Sequence, residues 1–228
     1  MTRSPRSSPA RTSSSSPGAF DGLGGAVYDF YIERPALARI EGVLVWGLDS
    51  RRMYAWMAKV HDAPAGAAVL DVPCGGGVAF RYVRPGWRGR YVAADIAPGM
   101  LRRARREAER RGIADRVELV EADMLDLPFE DASFEVCASF SGLHHVPEPE
   151  RAVRELVRCL KPGGRLVGCT FVGGTGGRGE RSVRISKRLG VMGSVFTAAA
   201  LEQWLADLDD ARVELTGALA LFEALKPT

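Results

Sequence analysis

The sequence predicts an α/β protein with a doubly wound sheet of mainly parallel strands. From Ala68 onward, short β-rich runs alternate with helical runs, and this order requires crossover connections between parallel strands. The chain has 228 residues, of which 46% are hydrophobic, so one core can form without disulfides or a structural metal. Such sheets bind ligands beyond the carboxyl ends of their strands, and the residues there indicate function.

Composition excludes several classes of protein. The four cysteines are far apart and form no C-x-x-C pair, which predicts buried thiols, no metal site and a reducing, cytoplasmic location. No stretch reaches about 18 uninterrupted apolar residues, so no transmembrane helix is expected. A secretory signal is not expected either, because there is no apolar segment of the required kind.

Residues 1–19 are expected to form a disordered tail. They contain seven Ser, three Pro, three Arg and no acid, and too little apolar surface to offset the entropy of ordering. An organelle transit peptide has a similar composition but requires an amphipathic apolar face, which is missing here. The tail carries the whole formal charge of +3, because residues 20–228 contain 28 basic and 28 acidic side chains. A neutral domain gives no support for a nucleic-acid partner.

Two helices are predicted within residues 20–66, before a core domain of residues 67–228. Apolar side chains recur at helical spacing from Tyr28 to Val45 and again from Met53 to Val60. The elements predicted for the core are strand Ala68–Val72, a helix from about Val78, strand Arg90–Asp95, helix Pro98–Arg111, strands Val117–Glu121 and Phe134–Phe140, helix Glu150–Leu160 and strand Arg165–Phe171. Lys161-Pro162-Gly163-Gly164 is expected to end the last helix and lead into the last of these strands.

Three glycines follow the first predicted strand, in Asp71-Val72-Pro73-Cys74-Gly75-Gly76-Gly77. They let a ligand approach the backbone beside the free N–H groups of a following helix. Their spacing differs from the G-x-G-x-x-G of NAD sites, and Asp71 adds negative charge where a pyrophosphate would lie. This strand end therefore favours a ligand that carries positive charge.

Acids also follow the second and third strands. Asp95 can accept hydrogen bonds from two ribose hydroxyls, and the alternative is that it caps the next helix. Asp123 can accept from an exocyclic amine such as that of adenine, with Met124 packing on the ring. Acids at three neighbouring strand ends predict a site for a nucleoside with a cationic group.

With these motifs the sequence resembles the class I S-adenosylmethionine-dependent methyltransferases, specifically the methyltransferase type 11 group that includes ubiquinone and menaquinone C-methyltransferases. The resemblance covers about residues 28–226 and is carried by LDVPCGGG (70–77), VAADIAPGMLRRAR (92–105), VEADMLDLPFEDASFEVCASFSGLHHV (120–146) and RAVRELVRCLKPGGRLV (151–167). It implies a Rossmann-like, mostly parallel sheet of seven strands with an N-terminal helical lid. It also implies a last helix in residues 196–205 and a closing antiparallel hairpin near Val213–Leu215 and Ala218–Leu225.

The resemblance implies S-adenosyl-L-methionine as cofactor, with S-adenosyl-L-homocysteine as product. The residues that it assigns to the cofactor are Asp71, Cys74, Gly75 and Gly77 around the methionyl portion, Asp95 at the ribose, Ile96, Asp123 and Met124 at the adenine, and Met100 and Phe140 nearby. One departure is Pro73, which stands where the family usually has Gly. Proline restricts φ and removes an N–H, so the loop must enter the site on a compatible path.

Methyl transfer from a sulfonium requires that the methyl group and its acceptor are aligned, and this alignment can lower the reaction barrier by roughly 7–11 kcal/mol. A general base is required only for some acceptors, namely those that must lose a proton. His144 follows the fourth strand and is the candidate base, because an unperturbed imidazole titrates near neutral pH. The alternative for His144 and His145 is a packing or capping role in the loop.

The acceptor side is predicted from the N-terminal helices and from the segment between Phe171 and Thr197. Its expected residues are Tyr28, the preferred lid residue, and Tyr31, His144, His145, Phe171, Met192 and Phe196. This apolar rim favours a small hydrophobic acceptor such as a quinone, polyketide or lipid-like molecule. The glycine-rich residues 173–179 lack the G-K-[ST] ending of a P-loop and predict a mobile connector.

Two other functional classes stay open at this point. A nicotinamide-dependent oxidoreductase can use a similar sheet, and a non-catalytic protein can bind S-adenosylmethionine for regulation. The arginines of helix Pro98–Arg111 alternate with Glu107 and Glu109 at ion-pair spacing, so a solvated helix face explains them better than an RNA site.

Overall fold

The computed structural model describes residues 42–83 and 86–228. The predicted tail, most of the first N-terminal helix, and the expected acceptor-side residues Tyr28 and Tyr31 lie outside the described residues.

The described residues form a seven-stranded sheet with the strand order β3-β2-β1-β4-β5-β7-β6. The strands are β1 Ala68–Asp71, β2 Arg90–Asp95, β3 Val117–Glu121, β4 Phe134–Phe140, β5 Leu160–Phe171, β6 Asp209–Thr216 and β7 Leu219–Leu225. The first five strands run parallel to one another, whereas β7 pairs antiparallel with both β5 and β6. The predicted fold class, including the closing hairpin, is confirmed.

Helices lie between these strands and before the sheet. They are α1 Ser50–Met57, α2 Pro98–Arg110, α3 Pro149–Cys159, α4 Gly177–Arg188 and α5 Ala198–Trp204. A π-helical turn at Gly42–Trp46 and 3₁₀ turns at Ala58–Asp62, Val78–Tyr82 and Leu143–His145 complete the helical elements of the described chain. A proline begins both α2 and α3, at a position where the missing N–H has no helical partner to lose.

The sheet is covered on both faces, because adjacent residues of a strand point to opposite sides. Leu70 packs in one core with Leu156 of α3 and Leu201 of α5. Val69 packs in the other core with Met57 of α1 and Ala104 of α2. Strands buried on both faces read as nearly continuous apolar runs, which is why β1, β2 and β4 could be recognised in the sequence.

Two predicted segments differ from the structure. The helix expected from about Val78 is a single 3₁₀ turn, and Pro85 soon after it in the sequence disfavours helical conformation in the preceding residue. The connector expected at residues 173–179 ends at Gly176, and α4 begins at Gly177. Gly179 lies inside this helix. A Cβ there would lie 2.7 Å from the Trp46 carbonyl oxygen, so the glycine allows α4 to pack closely against the Gly42–Trp46 turn.

The Lys161-Pro162-Gly163-Gly164 segment was also predicted incorrectly, since it lies within β5 rather than ahead of it. The Gly163 N–H donates to the Lys226 carbonyl at 2.8 Å, and the Lys226 N–H donates to the Gly164 carbonyl at 2.8 Å. This pairing joins residues far apart in the chain, so the local sequence pattern does not reveal it.

All four cysteines are free and buried, as predicted. None of the helices in the described ranges is long and apolar enough to cross a membrane.

Candidate cofactor and acceptor site

The predicted cofactor residues lie along one edge of the sheet. The four parallel strands β3, β2, β1 and β4 are neighbours, so the loops after their carboxyl ends are adjacent. The strand order reverses between β1 and β4, which is the position where doubly wound sheets bind ligands. The Cys74 N–H, just beyond β1, donates to the Ala94 carbonyl of β2 at 2.8 Å. The first loop is thereby fastened to the neighbouring strand.

Asp95 connects the loops after β1 and β2. Its Oδ2 accepts the Gly75 N–H at 2.9 Å, and its Oδ1 accepts the Ala97 N–H at 2.9 Å. The N-cap of α2 is Ala97, so the capping alternative for Asp95 is wrong. A carboxylate has about four acceptor positions, so these contacts leave capacity for a ligand hydroxyl. Only 5% of Asp95 is exposed, which gives any such hydrogen bond a desolvated setting. Its ribose contact stays a prediction.

Asp71 lies deeper than the sequence analysis implies. It is almost fully buried, and the Tyr91 hydroxyl donates to its Oδ2 at 2.9 Å. Burial raises the pKa of Asp71 to about 7, with the Tyr91 hydrogen bond opposing that rise and the nearby Asp95 charge adding to it. A positive ligand group at this edge would favour the ionised carboxylate. Its contact with the methionyl portion stays a prediction.

The glycine-rich loop after β1, residues 73–77, is packed closely on one side and open on another. A Cβ on Gly77 would meet the Phe80 ring at 2.6 Å, whereas a Cβ on Gly75 would meet nothing within 4 Å. Both glycines have positive φ, at +85° and +52°. Across the loop, a Cβ on Gly142 would lie 2.1 Å from Cδ of Pro73, whose peptide bond with Val72 is cis. Open space beside Gly75, next to buried carboxylates, fits a cationic nucleoside.

The predicted adenine contacts differ in how much surface they offer. Ile96 follows Asp95 and is 45% exposed, so its side chain has apolar surface to give to a ring. Asp123 Oδ1 accepts the Leu125 N–H at 2.9 Å and shapes the loop after β3. Met124 is largely buried, as are the two further predicted contacts, Met100 and Phe140. Their roles stay predictions.

His144 lies in the 3₁₀ turn after β4, and other protein groups contact its ring. Nδ1 accepts the Phe171 N–H at 3.3 Å and lies 3.1 Å from the Thr170 hydroxyl oxygen. An Nδ1 that accepts a backbone N–H carries no proton, so the neutral ring has its hydrogen on Nε2. Burial holds the pKa of His144 well below its usual value, and the neighbouring His145 lowers it further. The packing alternative agrees with these contacts, and the general-base role stays a prediction.

His145 stacks on His144, with the ring centroids 4.1 Å apart. Its Nδ1 donates to the Val191 carbonyl at 3.0 Å, so the neutral ring has the opposite tautomer and Nε2 bears the lone pair. Burial lowers the pKa of His145 to about 4, partly opposed by that hydrogen bond. The two rings therefore present different Nε2 chemistry.

The expected acceptor-side residues fall into two groups. Phe171 ends β5 and lies 5.2 Å from His144 and 4.3 Å from Trp46, measured between ring centroids. Met192 joins this group through a small cluster that includes Trp46 and Phe171. Phe196 is separate, because it stacks on Trp204 and packs in the core beneath α3 and α5. Its predicted place at the acceptor rim stays a prediction.

Trp46, Thr170 and Val191 also contact these residues. The sequence offers Trp46 as aromatic surface for the acceptor or for the core, and it contains no signal for Thr170 or Val191. Trp46 stands in an apolar run that predicts a helix, and Thr170 stands inside a predicted strand. Neither pattern indicates a contact with His144 or Phe171, since those contacts depend on elements far apart in the chain.

Other features of the described chain lie outside this edge. A cavity of about 420 Å³ lies at the amino ends of β2 and β3, lined in part by Trp87, Arg90 and Glu118. It is at the opposite edge from the predicted cofactor residues. Among the described residues, no group of three or more His, Cys, Asp or Glu is arranged to hold a metal ion.

The strand order, the antiparallel closing strands and the acids at the carboxyl edge define a Rossmann-like methyltransferase fold. A family model described as a methyltransferase domain matches residues 70–168, the segment that runs from the end of β1 through β2, β3 and β4, with α2 and α3, to most of β5. The match agrees with the methyltransferase resemblance of the sequence and with the fold.

Curated relatives match about half of the chain. A demethylmenaquinone methyltransferase of Clavibacter sepedonicus is 44% identical over 109 residues, which are 47% of this chain and 42% of that protein. The ubiquinone/menaquinone biosynthesis C-methyltransferase UbiE of Brucella anthropi is 41% identical over 121 residues, or 52% of this chain and 45% of that protein. The matched segment spans somewhat less than half the length of each relative.

Solved structures support the fold. A geranyl diphosphate C-methyltransferase from Streptomyces coelicolor A3(2), in complex with Mg²⁺, geranyl-S-thiolodiphosphate and S-adenosyl-L-homocysteine, matches with a TM-score of 0.65. The match covers 78% of this chain and 76% of that chain at 16% identity. At this identity the likeness concerns the fold alone.

Proposed function

We propose that the protein transfers a methyl group from S-adenosyl-L-methionine to a small hydrophobic acceptor of the quinone class. The observation that carries the proposal is the Asp95 carboxylate, which holds the Gly75 and Ala97 N–H groups at the edge between β1 and β2. This contact lies in the segment that matches the methyltransferase domain model, and quinone methyltransferases are 41–44% identical to about half of the chain.

The cofactor would lie over the loops after β1, β2 and β3. Asp95 would accept from the ribose, Ile96 would cover one face of the adenine, and Gly75 would leave space for the methionyl portion. S-Adenosylmethionine supplies an activated methyl group on a sulfonium, so the protein's task is to align the acceptor and exclude water. Asp71 would contribute negative charge near the cationic end of the ligand.

The acceptor would lie on the other side of the donor, near His144, Phe171 and Trp46. The two aromatic side chains give it an apolar contact that suits a flat, weakly polar ring. In the tautomer that Phe171 favours, His144 Nε2–H can donate to an acceptor oxygen. In the other tautomer it would act as the general base.

The role of His144 can be measured separately from the overall activity. A His144→Ala variant with unchanged turnover at every pH would exclude both roles and leave the methyl-transfer proposal intact. If His144 acts as base, turnover of the unmodified protein rises with pH through its lowered pKa, and the variant lacks that limb of the profile. If His144 acts only as a donor, the variant loses turnover without a change in the shape of the profile.

Ligand binding and turnover test the proposed function together. Calorimetric titration of the full chain should show binding of S-adenosyl-L-homocysteine and no binding of NAD. Incubation with S-adenosylmethionine and a demethylated quinone should then add one methyl group to the quinone, detected by mass spectrometry. Binding of NAD without binding of S-adenosyl-L-homocysteine would contradict the proposal, in favour of the oxidoreductase. Cofactor binding with no methylation of quinone, polyketide or lipid-like acceptors would instead support the regulatory protein.

A further inference from the structure

Helix α4 combines an unusual concentration of positive charge with exposed apolar side chains. Its residues Gly177–Arg188 include five cations, Arg178, Arg181, Arg184, Lys187 and Arg188, against one acid, Glu180. All five cations are exposed, and none of them forms an ion pair within the described ranges. Since residues 20–228 are formally neutral, this helix is a local excess of charge within a balanced domain.

Apolar side chains accompany these cations on the outward side. Val183 and Gly179 face the protein and are buried, while Ile185 is 49% exposed and Leu189, just beyond the helix, is 73% exposed. The π-helical turn adds three more exposed apolar residues, Val43, Leu44 and Val45, with Leu44 60% exposed. The turn and the helix touch directly, because the Ser182 hydroxyl donates to the Val45 carbonyl at 2.5 Å.

Val191 extends this surface towards the predicted acceptor residues. It is exposed, its N–H donates to the Ser186 carbonyl of α4 at 2.9 Å, and its own carbonyl accepts from His145. We call the five cations together with Val43, Leu44, Val45, Ile185, Leu189 and Val191 the α4 surface. Two of its members directly precede Trp46 and Met192 in the chain, and both of those belong to the cluster around Phe171.

Helix α2 shows that arginine-rich composition alone does not produce such a surface. It has a similar number of arginines, but Glu107 forms ion pairs with both Arg110 and Arg111, and no large hydrophobic side chain of α2 is exposed. Arg102, Arg105 and Arg106 of α2 are exposed like the cations of α4, but they lie on a polar face that water can satisfy. The α4 surface differs because its exposed cations lie beside exposed apolar side chains.

We propose that the α4 surface docks on an anionic lipid bilayer. A helix with cations around exposed apolar side chains lies in the plane of a membrane, with its apolar groups at the level of the headgroups and its cations on lipid phosphates. Charge complementarity favours an anionic bilayer over a neutral one. Docking in this way places the residues around Phe171 beside the membrane, where a hydrophobic acceptor would be found. The proposal concerns binding to lipid and holds whether or not the proposed methyl transfer is correct.

Vesicle flotation with the full chain tests the proposal. The protein should float with vesicles of phosphatidylcholine containing roughly one-third phosphatidylglycerol, and not with vesicles of phosphatidylcholine alone. Raising the salt concentration should weaken the binding, because lipid and protein charges are exposed to solvent. Equal binding to both vesicles, or to neither, would overturn the proposal.

Two variants locate the binding on α4. Replacing Arg181, Arg184 and Arg188 by Gln should lower the partition coefficient at least about 10-fold, since each cation near an anionic surface contributes to the attraction. Replacing Ile185 and Leu189 by Ser should also lower it several-fold at unchanged net charge. Both changes affect exposed side chains, so the melting temperature should stay close to that of the unmodified protein.

Two controls carry the same change in charge at other places. One replaces Arg102, Arg105 and Arg106 of α2 by Gln, and the other replaces Arg3, Arg6 and Arg11 of the tail by Gln. Both should bind vesicles as the unmodified protein does. If either control loses as much binding as the α4 variant, the attraction depends on overall charge or on the tail, and the proposal fails. If an RNA oligonucleotide displaces the protein from vesicles and the α4 variant loses RNA binding too, the surface is a nucleic-acid site and the proposal is wrong.

Discussion

The carboxyl edge of β1 to β4 and the α4 surface satisfy their side chains in opposite ways. At the edge, buried carboxylates such as Asp95 and Asp71 each receive hydrogen bonds from the protein, and glycines allow neighbouring loops to approach closely. At the α4 surface, apolar and cationic side chains are directed outward with few partners in the described chain. The fold itself thus supplies hydrogen-bond partners for the carboxylates at the edge, whereas the α4 surface needs a binding partner outside the protein to cover its side chains.

The same contrast appears in the match to known proteins. The methyltransferase domain model covers residues 70–168, which include the edge but neither α4 nor the turn at Gly42–Trp46. A common cofactor can be held by a common set of strand ends, while acceptor and docking surfaces differ between proteins that share a fold.

Asp95→Ala should have the largest effect. The change leaves the Gly75 and Ala97 N–H groups without their partner, at a cost on the order of 1–3 kcal/mol each, and it removes the proposed ribose acceptor. Calorimetry should show at least a roughly 100-fold loss of affinity for S-adenosyl-L-homocysteine. The matched control is Asp115→Ala, at the opposite edge and exposed, which should leave affinity unchanged. Binding of the Asp95 variant within a few-fold of the unmodified protein would contradict the ribose assignment.

Asp71 should make stability depend on pH. Its pKa rises from 3.8 when unfolded to about 7 when folded, so between these values the folded state holds a proton that the unfolded state has lost. The contribution of Asp71 to stability is therefore fully present below about pH 4 and is lost as pH rises through about 7, by an amount on the order of 4 kcal/mol.

Asp71→Asn isolates this contribution, because the amide oxygen can still accept from Tyr91 and cannot ionise. In urea unfolding, the variant should gain stability relative to the unmodified protein between pH 5 and pH 8. A stability difference that does not change with pH would show that the carboxyl titrates normally.

Gly142→Ala tests how closely the edge is packed. The added Cβ would lie 2.1 Å from Pro73 Cδ and 2.9 Å from Ser139 Oγ, so the two loops must separate. Overpacking of this kind costs about 1–3 kcal/mol, and Gly142 has a negative φ, so backbone strain does not complicate the comparison. The control is Ser139→Ala, which removes a buried hydroxyl that has no hydrogen-bond partner among residues 42–83 and 86–228 and should leave stability unchanged or improved. Unchanged thermal unfolding of Gly142→Ala would show that the loops are loosely packed.

Leu189→Ala should have the smallest effect on folding. Leu189 is 73% exposed, and surface changes of this kind usually alter stability by less than about 0.5 kcal/mol. The matched control is Leu143→Ala at the carboxyl edge, where the side chain is fully buried and the same change should cost about 2–5 kcal/mol. Similar unfolding free energies for the two variants would remove the contrast between the regions.

The strands β2, β3 and β4 could be predicted from the sequence with their observed bounds. β2 and β4 are buried and form short apolar runs, whereas β3 is a partly exposed edge strand recognised by its Val and Leu residues. The ends of these strands are marked by acids, glycines or prolines whose effect on the backbone is local. Helix α4 could not be predicted in the same way. Glycines at positions 176, 177 and 179 indicate a turn, and only the contact of Gly179 with the Trp46 carbonyl explains why one of them lies inside a helix.

The roles of the histidines also depended on the structure. The sequence places His144 and His145 together after β4, at the correct edge of the sheet. It does not distinguish them, because their tautomers depend on Phe171 and Val191, which are 27 and 46 residues further along the chain.

The sheet class, the acids at three neighbouring strand ends and the methyltransferase resemblance follow from residues close together in the chain, so they could be predicted without a structure. Which atoms those acids hold, where β5 begins and how Trp46 meets Phe171 became clear only from the folded chain. The fold also shows that α4 exposes apolar side chains beside its charges, whereas α2 exposes no large hydrophobic side chain. Such features depend on contacts between segments that are far apart in the chain. A local sequence pattern describes one segment and does not show which side chains of the other segment it will contact.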